Sequence, residues 1–327
     1  LPGERDRNFL LATPEGNRFV VKITSPEEPE EQLRFETGLL RELGNDEGLP
    51  IPRPIPSESG DLVLRAGAED GARWRVRVLE HLPGQVLAEV RPKTNGLLEE
   101  LGRQIADLEH RLRTITLEPP DRSGFIWALA EAGTVMEQGM SFHADPARQA
   151  LVEACLADFV DAQPTASSLP RQLVHGDLND HNILVGGDPQ SNRRVTGILD
   201  FGDSHVAPPV FDLAIAAAYL CLDAADPLAA ATDVVRGYHA RRPLTEPELD
   251  ILFPLIRARL GASVTVSASR RQGSSELDEY LLISEAPAWR ALESMGEIHP
   301  RLARGFFRDA CGLPACPRRA PLVDWIR

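Results

Sequence analysis

His175-Gly176-Asp177-Leu178-Asn179-Asp180-His181-Asn182, followed by Ile198-Leu199-Asp200-Phe201-Gly202-Asp203, is the part of the chain on which its reading turns. The apolar segment Gln172 to Val174 enters the first run, and Ile183-Leu184-Val185 leaves it. Val195 to Leu199 enters the second. Each run therefore ends a short strand, where a loop can present side chains. Asp177 and Asn182 are five residues apart, and Asp200 lies eighteen beyond Asn182, room for a strand, a turn and a strand back. Phosphoryl transfer needs a carboxylate to orient an acceptor hydroxyl, plus an Asn and an Asp to hold a divalent cation. The first spacing is that of an H-x-D-x-x-x-x-N catalytic loop. One aspartate after a strand can simply cap a turn, but two runs in this order are far more specific. His175 reads as a group that shapes the loop through backbone bonds. Asp212 reads as a partnered structural carboxylate, because a lone buried one is costly.

Outward from this stretch, the chain divides by pattern. Before it, Asn8 to Ala12 and Arg18 to Ile23 read as a hairpin around Thr13-Pro14-Glu15-Gly16-Asn17. A helix is expected to start at Ser25-Pro26-Glu27-Glu28, to carry Phe35, Leu39, Leu40 and Leu43 on one face, and to end near Gly44. Pro50, Pro52, Pro54 and Pro56 force an extended connector. Leu62 to Arg65 and Trp74 to Leu79 then read as strands joined at Glu69-Asp70-Gly71. Glu80 to Gly84 breaks the pattern. Beyond it, Leu97, Leu101, Ile105, Leu108 and Leu112 mark an amphipathic helix, with helical pieces around Trp127 and Leu151 to Phe159. Helical patterns continue from Phe211 to about Phe307.

The length of 327 residues suggests two lobes. A formal net charge of −14 disfavours nucleic acid and anionic membrane as partners, since both demand basic surface. The longest apolar run, Leu213 to Leu222, is about half of the roughly 20 residues a membrane span needs and reads as a core helix. Cys155, Cys221, Cys311 and Cys316 have no framework spacing, so reduced thiols and a cytoplasmic location are expected. A chain that opens on Leu1 without methionine is expected to be an excised domain, a processed product or a chain lacking its start.

These motifs, with Val210-Phe211-Asp212-Leu213-Ala214, Val20-Val21-Lys22-Ile23 and the opening Leu1 to Phe9, resemble the aminoglycoside phosphotransferase and choline/ethanolamine kinase superfamily. Within it, the hydroxylysine kinase-like group is the most similar. The resemblance implies an α+β, protein-kinase-like two-lobe fold: an N-terminal antiparallel sheet with one helix over residues 1–80, a hinge at 81–84, and a larger helical lobe over 85–327. It implies that Asp177 is the catalytic carboxylate and that Asn182 and Asp200 hold Mg2+. It further implies that Lys22 contacts nucleotide phosphates, that Glu36 pairs with Lys22, and that the backbone from Glu80 to Leu82 receives the purine of ATP or GTP. The resemblance calls for a glycine-rich phosphate-covering loop, but Gly3 is the one glycine in the matching stretch; either a glycine-poor loop serves, with Arg5 or Arg7 nearby, or the key strand precedes residue 1. The acceptor would be a small amino alcohol of hydroxylysine or ethanolamine type. Its ammonium calls for carboxylates and aromatic faces, for which Asp180, Asp203, Tyr280, Glu285 and Trp289 are candidates. Some members are fused to a pyridoxal-phosphate lyase, a possible partner domain. Rival readings are an aminoglycoside-type acceptor, a catalytically silent nucleotide-binding module and, more weakly, a protein kinase, for which no A-P-E segment follows Asp200.

Overall fold

The structure, a computed structural model, describes residues 6–45, 48–67, 73–188, 193–273 and 279–317. β1 (Asp6–Ala12) and β2 (Arg18–Thr24) form the anticipated hairpin, with Phe9 opposite Val21. α1 spans Glu30–Leu43, five residues later than the sequence suggests. Ser25 to Pro29 instead make a turn, in which the Glu28 N–H donates to the Ser25 carbonyl. The reason lies in Pro29, which caps the helix in an extended conformation and biases Glu28 before it away from helical angles. β3 (Leu64–Gly67) and β4 (Arg73–Glu80) complete an antiparallel sheet of order β1-β2-β4-β3. The expected turn at Glu69 to Gly71, like Gly3 and Arg5, lies outside the described residues. Pro54 in the extended proline run bridges to Leu79 on β4.

β5 (Gln85–Val86) leads to α2 (Asn95–Leu112), whose buried stripe is the one read from the leucine spacing. Trp127 lies in a turn rather than a helix; helix resumes with α3 (Ala132–Gly139) and α4 (Pro146–Ser168). β6 (Gln172–Val174), β7 (Ile183–Gly186) and β8 (Arg194–Ile198) carry the two motif runs, and β9 (His205–Ala207) pairs back onto β6. The remainder is helical: α5 (Val210–Leu220), α6 (Pro227–Arg241), α7 (Glu246–Gly273), α8 (Glu279–Gly296) and α9 (Pro300–Ala310). Among the described residues, the segment Glu246–Arg271 is long and apolar enough to cross a membrane, but it is almost wholly buried as a core helix.

Packing explains why these elements sit where they do. α2 and α6 touch backbone to backbone: a Cβ on Gly102 would stand 2.1 Å from the Val234 carbonyl oxygen, and one on Gly237 would stand 1.8 Å from that of Glu99. Removing both side chains brings the helices into direct contact and fixes the platform under β6 and β8. The connecting segments after α1 and after β4 are tied to this platform by polar bonds. The Ile198 N–H donates to Pro50 at 2.7 Å, Thr196 Oγ1 to Pro83 at 2.6 Å, and the Ala88 N–H to Asp180 at 3.0 Å.

Candidate active site

β6 delivers His175 into the interior, where its ring is fully buried against Phe201 at 4.5 Å between centroids. Its Nε2 donates to the Leu199 carbonyl at 2.9 Å, and its Nδ1 accepts the Asp177 N–H at 3.2 Å. Burial pushes its pKa down to about 4, so the ring is neutral at physiological pH. Asp212, in the first turn of α5, accepts the N–H groups of His175 at 2.7 Å and Gly176 at 2.8 Å. Its pKa rises to about 6 through burial. Gly176 has φ +85, and a Cβ there would meet the Asp203 carbonyl oxygen at 2.4 Å; the loop needs glycine on both counts.

Asp177 is thereby aimed away from the strand. Its Oδ2 accepts from the side-chain amides of Asn179 at 2.8 Å and Asn182 at 3.0 Å. Its Oδ1 accepts from Arg259 on α7 at 2.8 Å. Burial pushes the Asp177 carboxyl up to about 7, helped by the charges of Asp203 and Asp200 and opposed by Arg259. Asn182 precedes β7 and Asp200 follows β8. Because Ile183 pairs with Ile198 and the Leu199 N–H donates to the Asn182 carbonyl at 2.8 Å, the two residues emerge from neighbouring strand ends. Asp200 sits at φ 63 and ψ 77, a left-handed conformation that costs a non-glycine residue free energy and is typical of functional positions. The charge of Lys22 holds its carboxyl below the ordinary range.

Across the cleft, Lys22 stands opposite Arg77 in the β2–β4 register, two cations on one sheet face. Their repulsion is offset by Asp6 and Glu36. Arg77 takes the short contacts, 2.8 Å to Asp6 and 2.6 Å to Glu36, whereas Lys22 lies 3.5 Å and 3.9 Å from the same two carboxylates. The tighter partner of Glu36 is thus Arg77, not Lys22. Burial alone would lower the Lys22 pKa, but Asp200, Glu36 and Asp6 outweigh it and keep the ammonium charged. α1 also supplies Gln32, which donates to the Gly202 carbonyl, and Arg122 donates to the same oxygen from below.

One cavity gathers Lys22, Glu36, Asp177, Asp200 and Asp203 with Asp6, Arg77 and Gln32. Other predicted residues stand elsewhere. Asp180 pairs with Lys93 at 3.8 Å, and burial raises its pKa. The Glu80 N–H is bonded to the Arg53 carbonyl at 2.8 Å, and neither Glu80 nor Leu82 lines this cavity. Trp289 is buried against His143 and Arg148 and donates to Glu285, itself paired with Arg271 at 2.6 Å, in a separate cluster of α4, α7 and α8. The side chain of Tyr280 lies outside those described. Asp6, Arg77, Asn179 and Arg259 were not anticipated. A signal for Arg259 existed: an arginine within the apolar run of α7 must find a buried partner.

No group of three or more His, Cys, Asp or Glu side chains poised to hold a metal occurs among the described residues. The donor set nevertheless suits a hard cation that keeps waters and takes phosphate oxygens. Asp200 is ionised, and Asn182 commits its amide nitrogen to Asp177, leaving its oxygen to offer.

This architecture is that of the protein-kinase-like small-molecule kinases, enzymes that transfer phosphate to a hydroxyl group. The chain belongs to the phosphotransferase enzyme family, whose sequence pattern matches residues 1–247. Among curated relatives, hydroxylysine kinase of Xenopus laevis is 30% identical over 318 residues, covering 91% of this chain and 84% of that protein. Homoserine kinase of Gluconacetobacter diazotrophicus is 27% identical, covering 75% and 72%. Among solved structures, a microcompartment-associated aminopropanol kinase has a TM-score of 0.63 at 18% identity, covering 95% of both chains. Amicoumacin kinase in complex with AMP-PNP and Ca2+ also has a TM-score of 0.63, at 15% identity, covering 90% and 86%.

Proposed function

We propose that this small-molecule kinase transfers the γ-phosphate of ATP or GTP, with Mg2+, to the hydroxyl of a small hydroxylated amine of hydroxylysine or ethanolamine type. The observation that carries the reading is the constellation of Asp177, Asn182 and Asp200 at adjoining strand ends, with Asp177 and Asp200 lining one cavity with Lys22 and Asn182 bonded to Asp177 beside it. Asp177 orients the acceptor hydroxyl and finally takes its proton; its pKa of about 7 suits a general base. Lys22, charged and only loosely paired, is free to contact nucleotide phosphates. Asn182 and Asp200 would hold the cation, which when bound neutralises the charge shared by the phosphate oxygens. The remaining contribution of the chain is positioning and electrostatic stabilisation.

The reading places residues 1–80 and 85–327 as two lobes about a hinge at 81–84, supported by the end of β4 at Glu80 and the lack of regular structure in the next four residues. Relatives named for hydroxylysine and homoserine favour an acceptor that carries both an amine and a hydroxyl. Asp203 beside Asp177, already 3.7 Å from Arg122, is the carboxylate nearest to meet an ammonium on this reading. Four free cysteines fit a reducing cytoplasm. A companion pyridoxal-phosphate lyase domain belongs to the same reading and is tested by whether the native reading frame continues into one.

The decisive experiment is nucleoside-diphosphate release from ATP and from GTP against hydroxylysine, ethanolamine, choline, homoserine and an aminoglycoside. Acceptor-dependent release is expected with a hydroxylated amine, and Asp177→Asn is expected to lose about 100-fold or more in turnover while still binding nucleotide. Near-normal turnover in that variant would overturn the assignment. Release with the aminoglycoside alone would move the acceptor to the antibiotic class.

A further inference from the structure

Arg259 is the buried cation that reaches the proposed catalytic carboxylate itself, its side chain 3% exposed. It projects from the core helix α7. One guanidinium nitrogen donates to the Trp127 carbonyl at 2.6 Å and the other to Asp177 Oδ1 at 2.8 Å. Its central carbon lies 5.2 Å from the Trp127 ring centroid and 5.4 Å from that of Tyr219, so the planar group is held between two aromatic neighbours. For stability alone this is a poor use of a core position, since apolar residues of similar volume often replace buried ion pairs without loss. The arrangement makes sense at the other end of the bond. Asn179 and Asn182 grip Oδ2 of Asp177, and Arg259 is the group that grips Oδ1. Held on both oxygens, the carboxylate cannot rotate, yet each oxygen keeps acceptor capacity for an incoming hydroxyl.

We propose that Arg259 is the positioning residue for Asp177, fixing the plane of the carboxylate at which the acceptor hydroxyl must arrive. The same guanidinium ties that plane to the Trp127 loop, so the base and the loop beside it are set as a unit. The role rests on the reading of Asp177 as the base, and the experiment separates the two. Turnover and the KM of nucleotide are measured for wild type, Arg259→Met, Arg259→Lys, Asp177→Asn and the double variant Asp177→Asn with Arg259→Met. A misplaced reacting group costs about 100-fold, so Arg259→Met is expected to lower kcat by about that factor with the nucleotide KM unchanged. Arg259→Lys, which keeps the charge but not the fork, is expected to recover part of the loss. In the Asp177→Asn background, Arg259→Met should cost nothing further. A kcat near wild type in Arg259→Met, or an equal loss in both backgrounds, overturns the proposal. Near-normal turnover in Asp177→Asn overturns the base assignment instead. Should Arg259→Met fail to fold, Arg259→Lys in the two backgrounds supplies the same comparison.

Discussion

Acidification should strain the loop that carries Asp177 through His175. In the neutral ring Nε2 donates and Nδ1 accepts. A second proton on Nδ1 would face the Asp177 N–H, donor against donor, in a site with no exposure. The folded pKa of about 4 lies below the ordinary value of 6.5, so below pH 6.5 the unfolded chain binds a proton that the folded chain refuses. The stability this neutrality represents is complete above pH 6.5 and is lost as pH falls toward 4. The two values give a loss of about 2 kcal/mol at pH 5 and about 3 kcal/mol below pH 4. Asp212 acts in the opposite sense, because its folded pKa of about 6 favours the folded chain on protonation. A comparison with His175→Gln, which retains a donor for the Leu199 carbonyl, cancels that contribution. Urea denaturation at pH 7.5, 6 and 5 should show the stability advantage of wild type over the variant shrinking by about 2 kcal/mol across the range. Parallel stability curves would refute the argument, for then the imidazole would not hold a depressed pKa in the folded chain.

Two further outcomes follow from packing and charge. Gly237→Ala should destabilise the fold by about 3 kcal/mol, since its methyl meets the Glu99 backbone and α6 must move off α2; an unchanged urea midpoint would count against that contact. Arg77→Met should cost about 3–5 kcal/mol by leaving Asp6 and Glu36 with the more distant Lys22 as the cation between them, visible as a large drop in Tm that Lys22→Met does not match.

The features legible in advance were those with local signals. The strand ends around Asp177 and Asp200, the leucine stripe of α2 and the first hairpin all follow from short-range pattern, and the structure contains each. Helix α1 starts later than its acidic residues suggest because Pro29 holds Glu28 out of helical angles. Pairings between distant segments left no such trace. Arg77 became the main partner of Glu36 through the register of β2 on β4 and the placement of α1, neither of which is written in a window of sequence. Arg259 meets Asp177 across 82 positions of chain. Trp289 shows the converse: an aromatic residue that invites a binding role is spent on packing among α4, α7 and α8.

The cavity wall carries six carboxylates, Asp6, Glu28, Glu36, Asp177, Asp200 and Asp203, against two cations, Lys22 and Arg77. Even with Arg259 set against Asp177 and Arg122 against Asp203, a bare polyphosphate approaching that wall meets net like charge. On the proposed reading, the cleft therefore discriminates by ionic form: it admits a nucleotide as its cation chelate and disfavours the uncomplexed anion. The acidity of the whole chain, uninformative as a bulk property, becomes at this wall a filter on which species of nucleotide can dock.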